Sequence, residues 1–192
     1  MYKPSMHYCR LIQKNYYLIV YCFLFFSCGG NKQNIKTNTI QSENFTKKFV
    51  SKEGQFQILF EDEPTKEILY IPFENGEIQM NCFIYEKGVN LIFCISYVDY
   101  PESFMNNKNP EEVLNNLLET YINTQKAGLE TKKMILVNAW PGIYYKANNS
   151  DTFVMGEYIL RKNRLYQLTV TKEGNYHSEP EANSFFQSLE LL

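Results

Sequence analysis

The 192-residue sequence predicts an α+β fold, a mostly antiparallel sheet flanked by helices, preceded by a short apolar leader. Three observations predict it. Runs of about five to ten residues rich in Ile, Leu, Val, Phe and Tyr recur from Gly54 onward, separated by polar turns. One long central segment switches to the helical period. Turn dipeptides, Asn75-Gly76 above all, join neighbouring runs as hairpins, whose strands are antiparallel.

In chain order, GQFQILF (Gly54–Phe60) places Phe56, Ile58 and Phe60 on one side, as a half-buried strand does. KEILYIPF (Lys66–Phe73) follows and turns at Asn75-Gly76. Ile78–Val98 reads as two strands hinged at Lys87-Gly88, apolar on both faces and therefore central in the sheet. Asn109–Gly128 then puts Val113, Leu114, Leu117, Leu118, Tyr121 and Ile122 on one helical stripe. Asn109 suits the N-cap, Pro110 the first turn, Glu112 the capping-box position and Gly128 the stop. Strands resume at Glu130–Val137, Gly142–Ala147, Thr152–Arg161 and Arg164–Thr171, the last two joined at Lys162-Asn163. A short helix through Phe185 and Phe186, capped by Ser178 with Glu181, closes the chain. The layer rule makes this set an α+β sandwich.

The leader is a separate matter. Residues 1–15 carry Lys3, Arg10 and Lys14 and no acid, and YYLIVYCFLFFS (Tyr16–Ser27) carries no charge. A positive start, a short apolar run and a small residue at the break form a secretory signal over 1–27. The run falls short of the roughly 20 residues that a membrane-spanning helix needs. Its end, LFFSC, resembles a bacterial lipobox, which implies that Cys28 is acylated and becomes the mature N-terminus. A thiol is the nucleophile such a modification needs, and two or more chains anchor a protein stably in a bilayer. Residues 28–44 are rich in Asn, Gln, Thr and Lys with two Ile, a composition suited to a flexible tether. Gly29 stands where an inner-membrane retention Asp would stand, which by resemblance to that sorting rule implies the outer membrane, and nothing acidic directly follows Cys28 as a surface-export signal, so the periplasmic face is expected. The folded domain is expected over 45–192, about one domain's length.

Loss of residues 1–27 leaves 16 basic against 21 acidic residues, a net charge near −5. That balance argues against a nucleic-acid partner, which needs a basic stripe. No catalytic or cofactor motif is visible: no GxSxG, HExxH, CxxC, Walker or GxGxxG spacing occurs. His177 is the only histidine after the leader, and its neighbour Ser178 is accounted for as a cap, so no triad is expected. One His and two Cys make no zinc set, and no cofactor or metal is expected. Glu61, Asp62 and Glu63, or Asn148, Asn149 and Asp151, offer oxygens for calcium, but neither loop alone supplies a cage and both read as solvated turns.

Cys82 and Cys94 lie on the two arms of one hairpin, in a compartment that permits a disulfide. A two-residue turn at Lys87-Gly88 sets Cys82 opposite Phe93 and leaves the thiols on opposite faces. A three-residue loop sets them opposite one another. The tight-turn preference favours two core thiols. Asp99, Tyr100 and Pro101 follow a central strand, where ligand crevices open in layered folds. Tyr100 and the lone Trp140 can line such a crevice as candidate binding residues with Asp99, or pack over the helix.

The segments GQFQILFEDEPTK, ISYVDYP, NPEEVL, AWPGIYY, RKNRLYQLTV and FFQSLEL, in that order, resemble the PsbP-like (Mog1/PsbP fold) domains across nearly all of 45–192. The resemblance implies an α/β/α sandwich around an antiparallel sheet and an accessory or binding role rather than catalysis. PsbP supports a photosystem and Mog1 binds a small GTPase, and no functional residue of either maps onto this chain. The expected function is a non-enzymatic, lipid-anchored periplasmic domain that binds another envelope protein. The alternative is a carrier or sensor of a small apolar or sugar ligand held within the sandwich.

Overall fold

The structure, a computed structural model, describes residues 46–74, 76–174 and 179–192. The expected leader 1–27, Cys28, the tether 28–44, Asn75, His177 and Ser178 lie outside the described residues.

The central element is a seven-stranded antiparallel sheet in the order β3-β4-β5-β9-β8-β7-β6. Its strands are β3 (Thr65–Phe73), β4 (Gly76–Lys87), β5 (Leu91–Asp99), β6 (Gly128–Val137), β7 (Trp140–Asn148), β8 (Thr152–Arg161) and β9 (Arg164–Glu173). The expected central hairpin is β4–β5, paired with β3 at one edge and β9 at the other, and the consecutive buried residues Met80 to Ile84 and Phe93 to Val98 show that both of its faces are covered. Glu67 to Phe73 of β3 and Met134 to Val137 of β6 alternate between half-buried and exposed, as edge strands do.

A second, three-stranded sheet, β1-β2-β10, lies on one face. β2 (Phe56–Phe60) is its middle strand, flanked by β1 (Lys47–Ser51) and β10 (Glu190–Leu191). The first predicted strand therefore forms, but outside the main sheet. Phe56, Ile58 and Phe60 have no exposed surface and pack into the aromatic core with Phe83, Phe93, Tyr97 and Tyr166. The terminal helix α3 (Glu179–Gln187) closes this side, with Phe185 against Phe60 and Phe93 and Phe186 against Tyr144.

On the opposite face the long helix α2 (Pro110–Gln125) lies over β6, β7 and β8 and buries Leu114 and Leu118. The Asn109 side chain accepts from the Glu111 amide at 2.9 Å, the cap the sequence suggests. The helix ends before Gly128, because Lys126 takes the left-handed conformation (φ 50°) and Gly128 opens β6. A further short helix, α1 (Glu102–Met105), connects β5 to α2.

Register corrects the cysteine reading. Lys87 pairs with Leu91, so the loop is Gly88-Val89-Asn90, and Cys82 stands opposite Ser96 while Cys94 stands opposite Ile84. The two thiols share a face as diagonal neighbours, neither on opposite faces nor directly opposed. Diagonal positions lie about 7–8 Å apart, too far for a disulfide without backbone movement. Both are reduced and buried.

Candidate functional site

Asp99 is the last residue of β5 and faces Arg164, the first of β9. Its carboxylate takes both arms of the guanidinium, from Nε at 2.6 Å and from Nη2 at 2.7 Å. Arg164 also donates from Nη1 to the Glu53 carbonyl at 2.8 Å and lies 4.7 Å from the Tyr97 ring centre. The Asp99 hydrogen bonds hold the Arg164 guanidinium above its ordinary range, burial opposing them. Tyr166 donates to the Gly54 carbonyl at 2.8 Å, so two side chains of β9 tie the β1–β2 turn to the main sheet. Asp99 is thus a structural anchor, each of its carboxylate oxygens accepting one bond from Arg164.

Trp140 opens β7 and lies on the same face as Asp99, against the aromatic core. The Arg161 guanidinium sits 5.7 Å from its ring and donates to the Leu192 carbonyl at 2.6 Å. Asp99, Arg164, Arg161 and Trp140 therefore form a row across β5, β9, β8 and β7 at one end of the sheet.

Tyr100 points to the other face. Its ring packs 5.7 Å from Phe73 and stacks 5.6 Å from Phe104, and burial pushes its hydroxyl above the ordinary range. Its backbone carbonyl accepts from Asn163 at 2.7 Å. Asp99 and Trp140 are thus separated by the sheet from Tyr100, and the three do not line one crevice. Adjacent strand residues alternate faces, which separates position 99 from 100.

Beneath α2 the structure gathers tyrosines that the sequence did not single out. Tyr145 donates to the Tyr158 hydroxyl at 3.3 Å, and Tyr121 of α2 packs 5.6 Å from Tyr145. Burial pushes Tyr121 up to about 12. On this same face the buried Ser96 Oγ, and Asn115 Oδ1 on α2, find no hydrogen-bond partner among the described residues. Their sequence signal was weak, because phenol positions along strands are equally those of core aromatics.

The acidic loops are engaged elsewhere. Glu61 pairs with Lys87 at 2.8 Å, and Asp62 pairs with Lys47. Asn149 Oδ1 accepts from the Asp151 and Thr152 amides and the Thr152 hydroxyl, an Asx-type turn. Among the described residues no three or more His, Cys, Asp or Glu converge as a metal site.

What the described surface offers is apolar strand edge. Ile68 and Tyr70 on β3 are 46% and 64% exposed, and Met134 and Leu136 on β6 are 42% and 76% exposed. No helix among the described residues is long and apolar enough to cross a membrane.

No family model matches the sequence, and no curated protein matches it. Solved structures do. Cyanobacterial PsbP from Synechocystis sp. PCC 6803 aligns with a TM-score of 0.52 at 8% identity, covering 87% of this chain and 98% of that one. A protein of unknown function from Pseudomonas aeruginosa gives 0.38 at 10% identity over 60% and 86%. A Bacteroides thetaiotaomicron protein gives 0.39 at 16% identity over 78% and 49%. The fold is PsbP-like, a mostly antiparallel α+β sandwich.

Proposed function

We propose that the chain is a lipoprotein, tethered through acylated Cys28 to the periplasmic side of the outer membrane, whose PsbP-like domain is a non-catalytic binding module for another envelope protein. The observation that carries the binding reading is the exposure of apolar side chains on both edge strands, Ile68 and Tyr70 on β3 and Met134 and Leu136 on β6. An edge strand presents unpaired backbone donors and acceptors, so a partner segment can add to it as a strand while its side chains cover the apolar positions. The anchoring reading is supported by LFFSCGGN and the polar stretch after it. A non-catalytic role is supported by Asp99, Glu61 and Asp62, whose carboxylates are taken up by Arg164, Lys87 and Lys47.

The test is a mild-detergent pull-down from native membranes, comparing wild type, Cys28→Ala and Leu136→Lys by mass spectrometry. One stoichiometric partner, reduced by Cys28→Ala and lost from a folded Leu136→Lys, is the expected result. No partner from lipidated wild type overturns the binding reading. A Cys28→Ala protein still sedimenting with membranes overturns the anchor. A second reading, a carrier of a small polar ligand, is supported by Ser96 Oγ and Asn115 Oδ1 on the α2 side of the sheet. It predicts a small molecule released from purified wild type on denaturation and missing from Ser96→Val.

A further inference from the structure

Glu157 lies near the middle of β8, directly between Tyr144 on β7 and Leu168 on β9. Its strand neighbours two positions away, Met155 and Ile159, belong to the aromatic core. The carboxylate therefore points to the face that α3 covers. Phe185 of that helix touches Phe93 on β5 and Phe186 touches Tyr144 on β7, so α3 passes over the two strands between them, β9 and β8. Among the described residues Glu157 has no hydrogen-bond or ion-pair partner. Burial alone pushes its carboxyl up to about 7.

The charged and titratable groups on the surrounding elements are engaged with other partners or turned to solvent. On β7, Lys146 pairs with Glu179 in the first turn of α3. Glu181 of α3 pairs with Lys87 of β4, and on β9 Tyr166 and Arg164 are committed to Gly54, Glu53 and Asp99. Lys172 of β9 has a partner of its own, and Lys133, opposite Tyr144 on β6, is exposed. Tyr144 is held above its ordinary range, mainly by burial. His177 precedes α3 outside the described residues.

We propose that Glu157 is a proton-controlled latch for α3: with the carboxyl neutral the helix seats on β7 to β9, and ionisation loosens it. A neutral carboxyl tolerates an apolar setting, whereas a half-buried carboxylate with no counter-charge does not. The seated state holds the proton more tightly than the loosened one. Seating is therefore strongest in acid and weakens as pH rises from the ordinary carboxylate range to about 7. Loosening α3 uncovers Phe185 and Phe186, an apolar surface distinct from the strand edges.

The test is backbone amide exchange on the full chain in detergent micelles at pH 5.5 and 8.5, corrected for intrinsic rates. The opening equilibrium of 179–187 is expected to rise about tenfold or more in wild type, while α2 stays constant, and to stay flat in the near-isosteric Glu157→Gln. A wild type with no rise overturns the proposal, and so does a Glu157→Gln protein that keeps it. His177→Gln is the control. If it flattens the profile and Glu157→Gln does not, the proton belongs to His177 and the latch is wrong.

Discussion

Gly156 shows how one residue's identity follows from a contact rather than from conformation. A Cβ there would stand 2.4 Å from Cζ of Tyr145 and 2.5 Å from its hydroxyl oxygen, inside any tolerable contact. Tyr145 cannot step aside, because it is fully buried, bonded to Tyr158 and covered by Tyr121. Gly156→Ala is expected to destabilise the domain by about 3 kcal/mol, near the upper end for overpacking, read as a lower denaturation midpoint at unchanged slope. Gly88 makes the contrast: nothing lies near its Cβ position, and only its φ of 65° resists substitution. The sequence shows GEY inside a strand and a tyrosine in the neighbouring one, but their pairing needs the β7–β8 register. The same limit misplaced Cys82 and Cys94, whose relation depends on the length of one loop. Side-chain identity was legible, and which side chains meet was not.

Elements were easier to read where their signals are local. The β2, β3, β4–β5 and β8–β9 strands and α2 announce themselves by period and turn residues, and they form near the expected bounds. β1 escaped because KKFVS carries only Phe49 and Val50 as apolar residues, and β10 because it is two residues long. The β6–β7 turn escaped for a different reason. Asn138 and Ala139 both take left-handed φ, 49° and 68°, without glycine, so Trp140 looked like a loop residue when it opens a strand. The α2 start is the element-scale prediction. Asn109→Ala removes the acceptor for the Glu111 amide and is expected to cost about 1 kcal/mol in denaturant unfolding. An unchanged midpoint would mean that Pro110 and the acids of the first turn suffice to fix the helix start.

At the scale of the whole molecule, two sheets must be held face to face, and Arg164, held by Asp99 within the main sheet, reaches across to the Glu53 carbonyl in the β1–β2 turn of the other. That pairing was not legible, because β5 and β9 are neighbours only through a crossover spanning more than sixty residues (Asp99 to Arg164). The site expected around Asp99, Tyr100 and Trp140 dissolves for the same reason: sequence proximity of 99 and 100 hides that they face opposite sides of the sheet. If Asp99 is a structural anchor, its loss should act through Arg164. Asp99→Asn is expected to cost about 1 kcal/mol, because the carboxylate is 48% exposed and solvent screens part of the pairing. Arg164→Met should cost more, about 2 kcal/mol, since the Glu53 carbonyl loses its donor and Tyr97 its cation. With the arginine gone, Asp99→Asn has little left to break, so the double variant should unfold close to Arg164→Met alone, a coupling of about 1 kcal/mol. Additive losses in that cycle would instead mean that Asp99 acts on something other than Arg164, which would return it to the list of binding residues.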